Sequence, residues 1–229
     1  MIKTLPFDEL NTLRDVAAED VQTYGALSVK PKQMSEFVFD LLIMAYVFGY
    51  DAVNETLKTS VKPQTEKEHE DIFKEIAGKT FEQRVYEYSI EGNVENIIRV
   101  AETDMVRIYN QAVLDAAHAA QEAARRQKQQ EQAQQTIPEE ASLGIIFSEE
   151  EGGGQGEKET AYDGSPLAKT WVTMMDEKVR DTHQYLEGMT VPLDDEFYTY
   201  DGDHAQAPGG FTAAQNNVGC RCQLDISVM

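Results

Sequence analysis

Hydrophobic residues recur with helical spacing along much of the first half of the chain. After Pro6, apolar side chains follow at intervals of three or four positions, at Leu10, Leu13, Ala17, Val21 and Tyr24. Such spacing places the side chains on one face of an amphipathic helix. Proline suits the first turn of a helix, so the pattern predicts a helix that begins near Pro6.

A second, more apolar segment follows at residues 36–53. Pro31 breaks the preceding pattern, and the apolar positions beyond it predict a helix buried inside a bundle. The uninterrupted apolar run from Leu41 to Tyr50 is too short to cross a bilayer. We therefore expect no membrane-spanning segment here.

Proline and glycine divide the next stretch into shorter helices. Pro63 predicts a break and Thr65 a helix cap, while Gly78 and the Glu91–Asn93 turn separate the following helices. From Val94 to about residue 126 the pattern predicts one long helix. Its apolar face comprises Ile97, Ile98, Ala101, Met105, Ile108, Ala112 and Val113.

The composition changes at about residue 127. Residues 127–165 contain a Gln-rich run, an acidic run and a glycine cluster, with few side chains that could form a core. This composition is typical of a flexible or disordered linker. A short apolar island, Leu143–Phe147, interrupts it and is equally consistent with a short strand, a docking peptide or a patch without a role.

The last part of the chain, residues 166–229, predicts a small α+β module. Residues 169–175 alternate and favour a strand, and Asp176 to Glu187 predicts a helix that Asp176 caps and Gly188 ends. Residues 190–202 predict extended chain, followed by a loop. The fold class is therefore α+β, with domains at 1–126 and 166–229 joined by the linker.

The chain ends in a predicted strand that contains its two cysteines. Strict alternation puts every second residue on the same face. One face carries Cys220, Cys222, Leu224, Ile226 and Val228, and the opposite face carries Arg221, Gln223, Asp225 and Ser227.

Net charge restricts the classes of partner. The chain has 41 acidic and 20 basic residues, which gives a formal net charge of −21. Such a surface repels phosphate backbones, so we expect no strong direct grip on nucleic acid. A basic protein partner is the readier interpretation. With two cysteines and no export signal visible at the N-terminus, we expect synthesis in a reducing cytoplasm.

The paired cysteines allow two interpretations. A disulfide between positions i and i+2 of a strand has poor geometry. The cysteines are therefore either small buried hydrophobes or two thiolate ligands of a zinc ion. The candidate ligand set for zinc is His183, His204, Cys220 and Cys222, although its spacing matches no standard zinc finger.

Polar residues near the cysteines form a stripe on the predicted helix, at Asp176, Arg180, His183 and Glu187. We find no nucleophile–base pattern of a hydrolase and no phosphate-binding glycine loop. The glycine cluster at 152–156 is flanked by acidic residues, which would repel phosphate.

Taken in order, these motifs resemble the phage Mu protein F-like family of head morphogenesis proteins. The matching elements are Trp171, Asp176, Val179–Arg180, His183, Gly188, Pro192 and Cys220–Cys222. The upstream stretch Ile97–Ala117 is similar to the long helix of that family, in which a Thr-acidic pair precedes an Asn/Tyr-bearing segment. The resemblance implies a minor capsid component that is associated with the portal.

Some relatives carry a Cys-x-x-Cys pair where this chain has Arg180 and His183, and a His-Pro pair where it has Val218 and Gly219. That arrangement resembles a zinc site. Because this chain departs from it, we expect no cofactor, with zinc as the alternative. We expect Asp176 to pair with Arg180, and His183 to lie near the thiols. The predicted structural cluster comprises Trp171, Asp176, Arg180, His183, Gly188, Cys220, Arg221 and Cys222.

The resemblance implies a non-enzymatic minor head protein of a tailed phage or prophage. Its expected partners are the portal and the major capsid or scaffold protein, in the capsid interior near packaged DNA, after synthesis in the bacterial cytoplasm. Two alternatives stay open. One is a nuclease- or transferase-type effector enzyme built on the Asp/Arg/His/Cys module. The other is a helical adaptor with a regulatory tail.

Overall fold

The computed structural model describes residues 30–135 and 162–229, together with Thr12, Asp15 and Glu19. The apolar positions of the predicted first helix and the Leu143–Phe147 island lie outside the described residues. Between residues 30 and 135, four helices precede a small sheet module, so the predicted α+β class is confirmed. The helices are α1 (Pro31–Leu57), α2 (Thr65–Ile72), α3 (Phe81–Ile90) and α4 (Val94–Gln135).

Helices α1 and α4 form the main helical contact, and α2 and α3 pack beside them. Gly49 of α1 faces Tyr109 and Ala112 of α4 at very short range. A Cβ atom at Gly49 would lie 2.6 Å from the Tyr109 carbonyl oxygen and 2.7 Å from the Ala112 Cβ. Glycine is therefore required here by the close approach of two helices, and not by a turn.

The predicted breaks between helices are where the pattern placed them. Pro31 is the first residue of α1, where its missing N–H costs no hydrogen bond. Gly78 and Gly92 have positive φ angles of 74° and 66° in the two turns that flank α3. Thr65 begins α2 but Gln64 occupies the cap position, so the predicted cap is displaced by one residue.

Helix α4 extends beyond the boundary predicted at residue 126. Gln, Lys, Glu and Ala have high helix propensity, and pairs four residues apart bridge the exposed face. Gln127 donates to Glu131 at 3.2 Å, and Arg126 donates to Glu122 at 2.5 Å. The Gln-rich run, predicted as linker, is therefore helical as far as Gln135.

The C-terminal module contains a three-stranded antiparallel sheet with β1 at its centre. The strands are β1 (Leu167–Val172), β2 (Thr190–Pro192) and β5 (Gln223–Val228), in the order β2-β1-β5. In the register of β1 and β5, Trp171 lies opposite Leu224. A second pair, β3 (Phe197–Tyr198) and β4 (His204–Ala205), forms a short hairpin. Two short helices complete the module, α5 (Asp181–Gln184) and α6 (Ala214–Asn217).

The predicted helix from Asp176 to Glu187 is wrong in extent. Only Asp181–Gln184 is α-helical, and Arg180 precedes it in an extended conformation with ψ 152°. Asp176 accepts a hydrogen bond from the Lys178 N–H at 3.0 Å, which closes a turn instead of a helical first turn. Local side-chain bonding therefore replaces the first half of the predicted helix.

The predicted alternation of the last strand holds except at Gln223, which is buried although it was predicted on the opposite face, and at the end of the strand. Cys220, Cys222, Leu224 and Ile226 are all buried, whereas Val228 is 50% exposed. Strand β5 itself begins at Gln223, so both cysteines lie just before it. Among the helices that the structure describes, none is both long enough and apolar enough to cross a membrane.

Gly49→Ala tests the helix contact. In an open helix this substitution would stabilise by up to about 1 kcal/mol. Because the added methyl group overlaps the α4 backbone, we expect destabilisation by about 1–3 kcal/mol instead. Urea unfolding followed by circular dichroism measures the difference. Lys32→Ala on the exposed face of α1 is the control and should change stability by less than about 0.5 kcal/mol; a neutral Gly49→Ala would contradict the close approach.

Candidate functional site

The imidazole of His183 lies between the two thiols. Its Nδ1 atom is 3.5 Å from Cys220 Sγ and 3.4 Å from Cys222 Sγ. The Cys222 backbone N–H also donates to Cys220 Sγ at 3.4 Å. All three residues are buried, at 1% or 2% exposure. The structure therefore places His183 next to the two thiols, as the sequence predicted.

The two thiols differ in their acidity. A hydrogen bond from Cys222 lowers the pKa of the Cys220 thiol well below its usual value, and His183 acts in the same direction while burial opposes it. The same hydrogen bond, together with burial, raises the pKa of Cys222. The hydrogen bond between the two thiols therefore makes Cys220 the more acidic member of the pair.

Aromatic rings enclose the cluster. Trp171, on β1, is fully buried and meets His183 edge-on with a centroid distance of 5.4 Å. Phe211 stacks on the other side of His183 at 5.6 Å and contacts Trp171 at 5.5 Å. The rings exclude water from the imidazole and the thiols.

Gly188 fixes the strand that follows the His183 segment. Its φ angle is 70°, in the left-handed region that favours glycine. Its N–H donates to the Trp171 carbonyl at 2.9 Å, and the Trp171 N–H donates to Met189 at 2.9 Å. The turn at Gly188 therefore brings the chain back along β1 and holds Trp171 in place.

Asp176 does not pair with Arg180, as the sequence led us to expect. It binds Arg221, whose Nη2 atom lies 2.5 Å and 2.6 Å from the two carboxylate oxygens. This contact lowers the pKa of Asp176. Arg180 instead donates to the Val218 carbonyl. The partners are exchanged because the segment from Asp176 to Arg180 is a turn, so residues four apart do not share a helical face.

His204 is not part of the cluster. It lies on β4, where its Nδ1 atom is 2.9 Å from Glu196 and its ring contacts Tyr198. Among the described residues, the one group of potential metal ligands within 4.8 Å of one another consists of His183, Cys220 and Cys222. The four-ligand set considered from the sequence is therefore incomplete in this arrangement.

Zinc usually takes four ligands in a structural site. One imidazole nitrogen and two sulfurs would provide three of them, and their mutual distances suit that role. The surroundings are unfavourable, because Lys178, Arg180 and Arg221 line the small cavity beside the cluster. A guanidinium next to the cluster repels a metal cation. The described residues therefore supply three of the four ligands that a structural zinc site usually has.

Helix α4 holds the cysteine segment through Asn110, which is fully buried. The Asn110 amide donates to the Cys222 carbonyl at 3.1 Å, and its oxygen accepts from the Leu224 N–H at 2.8 Å. Thr103 on the same helix accepts from the Gly219 N–H at 3.3 Å. This stretch of α4 therefore binds the backbone at the start of β5, a role that spacing alone did not reveal.

Asp203 organises the loop before the cysteines, and the sequence analysis missed it. One of its carboxylate oxygens accepts from the N–H groups of His204 and Thr212, and the other accepts from Ala213 N–H and the Asn216 side chain. Hydrogen bonds from these donors lower its pKa, against the opposing effect of desolvation. An aspartate in a Gly/Asn-rich loop is the available sequence signal.

Lys169 is a second residue that the sequence analysis missed. It lies on the core side of β1, fully buried, 5.7 Å from the Phe197 ring centre. Its ammonium group has no hydrogen-bond partner among the described residues. Burial lowers the pKa of Lys169 to about 8, and the nearby Asp194, Asp195 and Glu196 limit the shift.

Substitution of Asn110 tests the contact between α4 and β5. Asn110→Ala leaves a buried carbonyl and a buried N–H unpaired, so we expect a loss of about 2–4 kcal/mol in the free energy of unfolding. Chemical denaturation provides the measurement, with Gln129→Ala, exposed on the same helix, as the control. A loss of less than about 1 kcal/mol would show that Asn110 does not carry the contact.

Comparison with known proteins gives a family for the C-terminal third. Residues 150–225 match the family model described as Phage Mu protein F like protein. No solved structure matches significantly. An NAD(+)–arginine ADP-ribosyltransferase of Enterococcus faecalis is 38% identical over 68 residues, which cover 30% of this chain and 14% of that protein. The chain therefore spans a small fraction of the length of this relative.

The matched segment contains every residue of the cluster, from Trp171 to Cys222. It also extends from the acidic and glycine-rich stretch into β5. The match supports a phage head protein. Residues 150–225 thus resemble the Phage Mu protein F like family, and the match includes the ordered motifs from Trp171 to the terminal cysteines.

Proposed function

We propose that the protein is a non-enzymatic minor head protein of a tailed phage or prophage, which acts in head morphogenesis together with the portal. The observation that carries the proposal is the family match over residues 150–225. The location that follows is the capsid interior, near packaged DNA, with the portal and the major capsid or scaffold protein as partners.

The burial of the cluster supports a structural role. His183, Cys220 and Cys222 are at most 2% exposed, and the cavity beside them has a volume of about 10 Å³. This is about the space that a single water molecule needs. A substrate would have to displace Trp171 or Phe211 to reach the imidazole. The polar side chains serve instead to hold the α5 segment against the start of β5.

Surface composition supports a protein partner. Tyr185, Tyr198 and Tyr200 are 55%, 58% and 63% exposed, and the rings of Tyr185 and Tyr200 contact each other at 6.1 Å. Tyrosine is enriched in protein interfaces. Acidic residues flank these tyrosines in the chain, at 194–196 and 201. An acidic, aromatic surface suits a partner that presents arginine or lysine.

A transferase is the second candidate, because the Enterococcus relative is an arginine ADP-ribosyltransferase. The chain covers 14% of that protein, so the shared segment can be a module common to proteins of different activity. The notion of a nuclease or transferase built on Asp176, Arg180, His183 and the thiols conflicts with their geometry. Asp176 and Arg180 are engaged by Arg221 and by the Val218 carbonyl, and the thiols are buried.

Head assembly gives the direct test. The chain is expressed with the neighbouring portal and capsid genes, and heads are isolated, treated with protease and examined by mass spectrometry. We expect the protein at low, reproducible copy number in protease-protected heads. An acidic protein of similar size that is unrelated to phages controls for entrapment. Recovery only in the soluble fraction would contradict the head proposal. An arginine ADP-ribosylation or nuclease activity that His183→Ala abolishes would favour the enzyme.

We also propose that the cluster is held by hydrogen bonds without a metal. Metal analysis of protein purified without chelators should then find zinc well below one ion per chain. His183→Ala should lower stability by about 2–4 kcal/mol, because it opens a cavity and removes the partner of two buried thiols. One zinc per chain, lost in the His183→Ala variant, would overturn the metal-free proposal and leave the head proposal intact.

A further inference from the structure

A cavity lies between the helices and the C-terminal module. Its volume is about 640 Å³. The α2–α3 connection and α4 form one wall, and the loop from Ala207 to Val218 forms the other. None of the residues of the His/Cys cluster lines it. The cavity therefore requires both parts of the chain to be packed together.

The charge of this cavity is opposite to that of the protein. Four basic side chains line it, Lys74, Arg84, Arg99 and Arg107, against two acidic ones, Asp71 and Glu75. In the whole chain the balance is 20 basic to 41 acidic residues. Burial and the neighbouring Asp115 carboxylate raise the pKa of Asp71 to about 6, so Asp71 is still mostly charged at neutral pH.

Arg107 has unmet hydrogen-bonding capacity. Its side chain is 11% exposed, and its Nη1 atom donates to the Asp71 carbonyl at 2.9 Å. Its Nε and Nη2 atoms are buried and make no hydrogen bond with any described residue. Burial accordingly lowers the pKa of Arg107. An unsatisfied buried guanidinium is costly, so a ligand that accepts from it would be bound favourably.

One carboxylate is shared between two guanidinium groups. Asp104 is fully buried and binds Arg84 Nη2 through one oxygen at 2.7 Å, while its other oxygen is 3.7 Å from Arg107 Nε. Asp71 also acts on Arg107, so Arg84 and Arg107 face two carboxylates, Asp104 and Asp71. The positive excess of the cavity therefore comes from Arg99 at its exposed rim and from Lys74, against Glu75.

Gly209 brings the loop wall directly onto Arg107. A Cβ atom at Gly209 would lie 2.9 Å from Arg107 Cα, and its φ angle is 85°. Phe211 and Val100 give the cavity an apolar part next to its cations. The cavity thus combines an apolar wall with desolvated arginine donors, which is the usual composition of a small-ligand site.

From this geometry we infer that the cavity is an oxyanion site, in which Arg107, Arg84 and Arg99 bind the phosphate or carboxylate group of a ligand that carries an apolar body. Guanidinium groups recognise both kinds of oxyanion through paired hydrogen bonds. The ligand touches α4 and the 207–218 loop at once, so it stabilises the packing of the helices on the C-terminal module. The site is independent of the proposed head function.

Thermal unfolding of the full chain with simple anions is the first test. Sodium phosphate, sodium acetate and sodium chloride are compared at equal ionic strength and pH 7.5, because screening alone stabilises a chain of net charge −21. We expect phosphate, acetate or both to raise the midpoint by about 2–5 °C more than chloride, in a saturable manner. A response to phosphate alone assigns a phosphoryl ligand, and a response to acetate alone assigns a carboxylate ligand.

Substitution of two arginines on α4, one at the cavity and one outside it, tests whether the anion binds in the cavity. Arg99→Glu reverses the charge at the exposed rim and should weaken the apparent affinity about threefold to tenfold. Arg126→Glu makes the same change on the exposed surface outside the cavity and should leave the affinity unaltered. Arg107→Gln should weaken binding by at least about tenfold if the variant folds.

The inference is wrong if neither anion exceeds chloride, or if Arg99→Glu and Arg126→Glu respond alike. The comparison of Arg99→Glu with Arg126→Glu remains decisive even if Arg107→Gln fails to fold, because both residues are exposed. Head assembly can succeed or fail independently of these results, so the two proposals are tested separately.

Discussion

The side chain of Asn110 is bonded to the backbone on both sides of Gln223, and the position of the C-terminal module on the helices depends on this contact. Its amide satisfies a buried carbonyl and a buried N–H at the place where the chain enters β5. Strand β5 in turn pairs with β1, and β1 carries Trp171. The contact of Asn110 on α4 with the start of β5 thus positions β5, and through β5 it positions β1 and Trp171.

The His/Cys cluster is the next layer of the same arrangement. Cys220 and Cys222 flank Arg221, whose side chain turns outward to Asp176 while the thiols turn inward to His183. The alternation of an extended segment allows both contacts from three consecutive residues. Two contacts therefore hold the segment from Asp176 to His183 in place. One is an ion pair at the surface, and the other is the sulfur–imidazole contact in the interior. Residues of the kind found in active sites serve here to close a small module.

The distribution of charge follows a similar logic. The surface is strongly acidic, whereas several cations are taken into the interior or its clefts, such as Lys169 under Phe197 and Arg107 beside Asp104. Buried cations without full partners cost stability. Arg107 is the cation for which an anionic ligand is proposed, whereas Lys169 lies near the acidic residues Asp194, Asp195 and Glu196.

The sequence by itself determined the α+β class, the helices with their breaks at Pro31, Gly78 and Gly92, and the inward face of the cysteines. These features depend on local periodicity and on backbone preferences, which neighbouring residues fix. The family-like motifs also indicated which residues of the last third belong together. Helix propensity alone would have predicted the extension of α4 to Gln135. The low-complexity composition favoured a linker instead.

Only the tertiary structure decided which partners those residues take. Asp176 binds Arg221, 45 positions away, because a turn replaces the predicted helix. His204 faces Glu196 and not the thiols, and Asn110 meets a strand more than 110 positions later in the chain. Contacts between residues so far apart follow from how whole elements pack. That packing is a balance of burial and hydrogen bonding over the entire molecule, which no local pattern contains.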